Sequence, residues 1–301
     1  GMASLDNFYD RQRADGYIGM CYDMDTGIEP WPDRLNPPLF AWAEWNYWRS
    51  TGDASRLPRV LGHIGRLMDW MDANRRTEPH RRLRANDGED AGQGESADNY
   101  QLYWFDDCGS SGMDDSPRTP RLPGAGRFFD WIDLSSQMAL SFRLLADLHA
   151  AIGDPVGAER WKNRHEETAG LINAELWCDR TGFYHDRMIP ANFVGAKTVA
   201  GFWPLLAGIC PADRAAALAV HLTDPKTFGS LVPVPSLSRD DPNYDPQGTY
   251  WRGGVWAPTN YMVLRGLTEN GHGDLAHRLA VRYLDALAAT YAEVKPPTLW
   301  E

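Results

Sequence analysis

The sequence predicts an all-α protein assembled from helical hairpins, with long functional loops gathered on one face. Three observations carry this expectation. Apolar residues recur at helical spacing in separate blocks. The same Gly-Asp step joins three pairs of those blocks, and long stretches rich in Gly, Pro, Asp and aromatic residues separate the pairs.

The first pair of helices is predicted over residues 39–50 and 56–75, and the second over 131–151 and 157–176. A third pair, with weaker periodicity, covers 200–209 and 212–222, and the last covers 257–267 and 275–289. Gly52-Asp53, Gly153-Asp154 and Gly273-Asp274 read as hinges. Glycine suits the left-handed residue that ends a helix, and aspartate caps the exposed N–H groups of the next. The hinge recurs after 101 and then 120 residues, as a repeat of helical hairpins would require. Residues 77–126, 179–197 and 226–254 remain as loops. Irregular segments beyond ~15 residues are uncommon in a compact domain unless they carry function.

The 301 residues fit one domain spanning 1–301. Thirty Lys and Arg against 41 Asp and Glu give a net charge of −11, which argues against a nucleic-acid binder. No stretch reaches the ~18 uninterrupted apolar residues of a membrane span. No signal peptide is visible, so a cytoplasmic location is expected. The cysteines Cys21, Cys108, Cys178 and Cys210 are scattered with no CxxC pair, which disfavours a zinc ribbon or a disulfide framework. The eight histidines do not converge, and HExxH, GxSxG and a phosphate-cradling glycine loop are absent. No cofactor or metal is demanded, and Asp240, Asp241 and Asp245 read as a solvated acidic loop. The informative excess is aromatic. Thirteen Trp and twelve Tyr, many beside Gly, Pro or Asp, suit the faces of a sugar. The expected partner is therefore a small carbohydrate or glycoside, and nothing specifies an oligomeric state.

Four constellations stand out. Ser111-Gly112-Met113-Asp114-Asp115-Ser116-Pro117-Arg118 follows Tyr103-Trp104-Phe105-Asp106-Asp107. An acid held beside aromatic rings has its charged form disfavoured and becomes a proton donor near neutrality; a solvated acidic loop is the equal alternative. In the run from Gly248 to Tyr261, Gly253 and Gly254 let backbone approach a ligand. Tyr250, Trp251 and Trp256 form a candidate stacking wall, and Arg252 a donor to hydroxyls or to a carboxylate. Trp300-Glu301, after Pro296-Pro297, supplies a candidate second carboxylate. Finally, Pro37-Pro38 opens a helix that carries Trp42, Glu44 and Trp45, with a structural role favoured for Glu44.

At these residues the sequence resembles the (α/α)6-barrel glycoside hydrolases of family 63. That family includes mannosylglycerate and glucosylglycerate hydrolases and processing α-glucosidase, with the trehalases more distant. The segment 111–118 is similar to the family's Ser-Gly-Met/Trp-Asp-Asn-Ser-Pro-Arg, although Asp115 replaces its Asn and Ser110 a common Glu. Tyr250-Trp251-Arg252-Gly253 through Asn260-Tyr261 resembles the segment that lines the sugar site, and Trp300-Glu301 the start of Glu-Asn-Tyr. The resemblance implies an (α/α)6 toroid, either partial or compact. It also implies hydrolysis of an α-glycosidic bond with inversion, with Asp114 as general acid and Glu301 as general base. Trp42, Trp104, Arg118, Tyr250, Trp251, Arg252, Gly253, Trp256 and Trp300 are then the candidate substrate-binding residues. A carbohydrate-binding barrel without turnover and a sugar epimerase are the alternatives; epimerases of this shape generally use histidines, which do not converge here.

Overall fold

Short Gly and Asp hinges and long aromatic loops alternate along the chain, and this alternation decides its architecture. The computed structural model describes residues 1–76, 102–119, 125–188 and 192–293. Among them the helices are α1 (Met2–Tyr9), α2 (Phe40–Thr51), α3 (Leu57–Asn74), α4 (Ile132–Ala151), α5 (Pro155–Glu175), α6 (Trp203–Ala207), α7 (Ala212–Thr223), α8 (Ala257–Glu269) and α9 (Gly273–Glu293). Eight of these are the predicted hairpin helices. None is long and apolar enough to cross a membrane.

Burial separates two layers. Fourteen of the 20 residues of α4 are buried, and all five of α6. The partner helices α5 and α9 bury only three and four residues; on α9 Leu275, Leu279 and Tyr283 mark one stripe at helical spacing. Helix α4 also packs on α2 and α6, and α6 on α8. Burial sets α4 and α6 inside, and their contacts bring α2 and α8 beside them as inner helices of an (α/α)6 barrel, with α5, α7 and α9 outside; in the first pair α3 buries eight residues and α2 two, so there chain order, not burial, makes α3 the outer partner. Gly266 on α8 permits the closest approach, since a Cβ there would meet the Leu205 Cβ at 2.7 Å.

Every inner helix leads to its outer partner through a few residues. The connections before α2, α6 and α8 are long: residues 10–39, 176–202 and 224–256. These connections, like the described residues 125–131 before α4, run into the N-terminal ends of the inner helices.

Three expectations are corrected. At the third hinge Gly271, with φ +81°, takes the left-handed conformation, while Gly273 already begins α9. The predicted helix over 200–209 is a 3-10 turn, Val199–Phe202, followed by the short α6, because Pro204 falls in its first turn. The loop over 179–197 contains short strands: β3 (Phe183–Tyr184) pairs antiparallel with β2 (Trp177–Cys178), which immediately precedes the loop. In a second sheet β4 (Arg187–Met188) lies between β1 (Phe129–Asp130) and β5 (Asn192–Phe193). Helix α1 gave no periodic signal because it is only eight residues long; its Tyr9 hydroxyl donates to buried Glu44, which Arg56 also grips. Glu44 is thus structural.

Candidate active site at the loop end

The acidic loop owes its position to one buried cation. Arg118 is fully enclosed, and its five N–H groups are all committed. Nε and Nη2 reach Asp186 at 2.7 and 2.6 Å, Nη1 and Nη2 reach Asp133 at 2.6 and 2.8 Å, and Nη1 also points to Met113 Sδ at 3.5 Å. Burial opposes the charge, but the two carboxylates outweigh it and hold the guanidinium well above its usual range. Asp133 lies in the first turn of α4, and Asp186 precedes β4. The expectation that Arg118 binds substrate is therefore corrected: it has no donor left for a ligand, and it pins the loop to the barrel.

Upstream, Asp107 shapes the turn. Its Oδ1 accepts from the Ser110 N–H at 2.9 Å and from the Ser110 hydroxyl at 3.2 Å. Gly112, at φ +80°, then turns the chain, and Asp114 emerges exposed. Three of the four carboxylates in 102–119 are ion-paired: Asp106 with Arg75 at 3.0 Å, Asp107 with Arg34, and Asp115 with Arg252 at 3.4 Å. Asp114 has no such cation among the described residues. It accepts the Tyr250 hydroxyl, and that bond raises the phenol above its ordinary pKa.

Asp114 and Tyr250 belong to two loops latched together. Asp115 Oδ1 accepts the Trp251 N–H at 2.9 Å, and its carbonyl accepts Arg252 Nε at 3.2 Å. The second loop is bent to fit. Tyr250 stands at φ +44°, a conformation costly for a side chain this large, and Gly253 at φ +144°. A Cβ on Gly253 would meet the Asp245 carbonyl at 2.6 Å, which accounts for the glycine. Its N–H donates to Ser236 Oγ at 3.1 Å, so Gly253 supports the loop. The bend stacks Trp251 on Trp256, with centroids 4.6 Å apart and planes 12° apart, and sets Tyr250 edge-on to Trp256 at 5.7 Å. An aromatic wall thus stands beside Asp114.

Trp42, in the first turn of α2, stacks on Tyr261 of α8 at 5.9 Å and meets Trp203 of α6 edge-on at 6.2 Å. Three inner helices thereby bring rings together at the same end of the barrel. Trp104 is placed differently: Arg75 covers its ring at 4.1 Å. Trp300 and Glu301 lie outside the described residues. Sequence reasoning missed Arg34, Asp107, Asp133, Asp186 and Trp203. Asp107 stood beside the recognised motif; the others carry no local signal, since their roles arise from contacts across the barrel.

An acid set against an aromatic wall on a helical barrel suits a protein that handles carbohydrate, and the family match names the class as glycoside hydrolase. Residues 3–296 match the model of the mannosylglycerate hydrolase MGH1-like glycoside hydrolase domain, and the chain belongs to that family. It is 37% identical to a mannosylglycerate hydrolase of Thermus thermophilus over 138 residues, 45% of this chain and 31% of that protein. Over 285 residues, 94% of this chain and 54% of the other, it is 27% identical to a protein of Borreliella burgdorferi. It thus spans about half, or less, of the length of these relatives. A family 63 mannosylglycerate hydrolase of Thermus thermophilus, solved with glucose, matches with a TM-score of 0.74 at 21% identity, covering 95% of this chain and 80% of that one. Its complex with Tris and D-glycerate matches at 0.72 and 22% identity, with the same coverage. These structures share the fold.

Proposed function

We propose that the chain hydrolyses a small α-linked glycoside with inversion, Asp114 protonating the leaving oxygen. One observation carries this reading. Asp114 alone among the four carboxylates of its loop lacks an arginine partner among the described residues, and it faces a phenol and a tryptophan stack. A proton donor must reach its neutral form near working pH, and a paired arginine would oppose that. The rings would hold the sugar, and Arg252, 35% exposed with Nε turned toward Asp115, would direct its outer N–H groups to a hydroxyl or carboxylate. Glu301 is the proposed base. An inverting pair needs roughly 6.5–9.5 Å between its carboxyls to admit water. The relatives' names point to a sugar joined to glycerate as the substrate class.

The test is a panel of mannosyl- and glucosyl-glycerates and aryl α-glycosides, with product anomers followed by NMR. The first product should be the β-anomer. Asp114→Asn should lower turnover by about 10²–10⁴-fold with its melting temperature unchanged. Full turnover in that variant would remove Asp114 from the role. Sugar binding by the parent chain without any product would replace the hydrolase reading by a binding one.

A further inference from the structure

The Arg34–Asp107 pair stands close to Asp114 without touching it. A methyl group built on Gly109 would lie 3.2 Å from Asp107 Oδ1 and 3.3 Å from Asp114 Oδ1. The two carboxylates thus converge on one glycine, nearer to each other than the ~8 Å Debye length at physiological salt. An uncompensated charge on Asp107 would therefore act on Asp114. Arg34 reaches Asp107 from the long connection before α2, 73 residues away in sequence.

The groups facing Asp114 can be named by element. Its own loop brings Asp107 and Asp115, the connection before α8 brings Tyr250 and Arg252, and the connection before α2 brings Arg34. Tyr250 bonds Asp114 directly, and Arg252 compensates Asp115. Among the described residues, only the Arg34–Asp107 pair changes the charge beside Asp114 while leaving those bonds intact.

We propose that Arg34 and Asp107 are a positioning pair that governs when Asp114 holds its proton. Asp107 shapes the turn through Ser110, and Arg34 cancels the field of Asp107 at the acid. The inference rests on the hydrolase reading for its purpose, though the electrostatic coupling itself can be read without turnover.

Four variants test it: Arg34→Gln, Arg34→Lys, Asp107→Asn and the double variant Arg34→Gln/Asp107→Asn. In each the Asp114 carboxyl carbon is titrated by 13C NMR, and the alkaline limb of the hydrolysis profile is recorded alongside. Arg34→Gln bares a negative charge and should move the titration midpoint and the limb to higher pH. Asp107→Asn bares a positive charge and should move both to lower pH. Each displacement should be about half a pH unit, as expected for unit charges ~6 Å apart in a solvated site. Arg34→Lys and the double variant should lie close to the parent. Single variants that coincide with the parent, or that both move the same way, would overturn the pair's role. Displaced midpoints in a parent chain that hydrolyses no glycoside would support the coupling and defeat the hydrolase reading instead.

Discussion

At the Gly52 and Gly153 hinges the backbone is closed by neighbours in sequence. The Gly52 N–H returns to the Trp48 carbonyl at 2.8 Å, and Asp53 accepts the Tyr47 hydroxyl at 2.9 Å. Asp154 accepts the Gly157 N–H at 3.0 Å and meets His149 at 2.8 Å. At the loop end the bonds cross the molecule: Arg118 joins residues 15 and 68 positions away, and Tyr250 reaches Asp114 across 136. The first end combines such local closures with a few bonds across the molecule, Asn270 donating to the Leu205 carbonyl and Arg143 to the Leu206 carbonyl, each at 2.8 Å. The second holds together only when several distant segments are present at once, so one substitution there disturbs more than its own contacts.

Breaking the long-range end should therefore cost the most. Arg118→Met leaves Asp133 and Asp186 buried without their cation, and a loss of about 3–5 kcal/mol is expected in urea unfolding. Activity should fall with it as the Asp114 loop comes free. If stability were unchanged, the buried triad would not be the anchor.

The latch between the two loops should respond more mildly. Tyr250→Phe keeps the ring beside Trp256 and removes the donor to Asp114, and turnover is expected to drop about 3–10-fold. Steady-state kinetics with Tm as control would show whether the effect is confined to the site.

The hinge end supplies the contrast. Gly153→Ala forces a side chain into φ +77°, for a loss of about 1 kcal/mol with kcat/KM unchanged. An activity loss there beyond the loss of folded protein would erase the distinction between the ends.

The smallest effects concern pH. Burial holds His165, His185 and His221 below their ordinary pKa. As pH falls below ~6.5 the unfolded chain takes up protons that the folded chain still refuses, so stability declines and then levels off below the folded values. Thermal melts between pH 8 and 5 should show a gradual fall in Tm that starts near 6.5. A Tm that rose on acidification would contradict this assignment.

Much of the fold was legible because its signals are local. The periodicity of 131–151 became Ile132–Ala151, and Gly52 and Gly153 hold the left-handed turns expected of them. Asp114 and Tyr250 were singled out separately, yet no pattern in either segment says that one bonds the other. Arg118 shows the opposite failure. An arginine near an acidic motif suggested a ligand contact, and only the carboxylates of α4 and of the residue before β4, folded around it, convert it into an anchor.

The sequence by itself determined the hairpins and the Gly52 and Gly153 turns, because helix periodicity and glycine conformation act within a few residues. Tertiary structure alone decided which acid of the loop has no arginine partner among the described residues. The partners of Asp106, Asp107 and Asp115 come from the end of α3 and from the connections before α2 and α8. Charges settle their pairing by distance in space, and that distance exists only after the inner helices have brought their loops to one end.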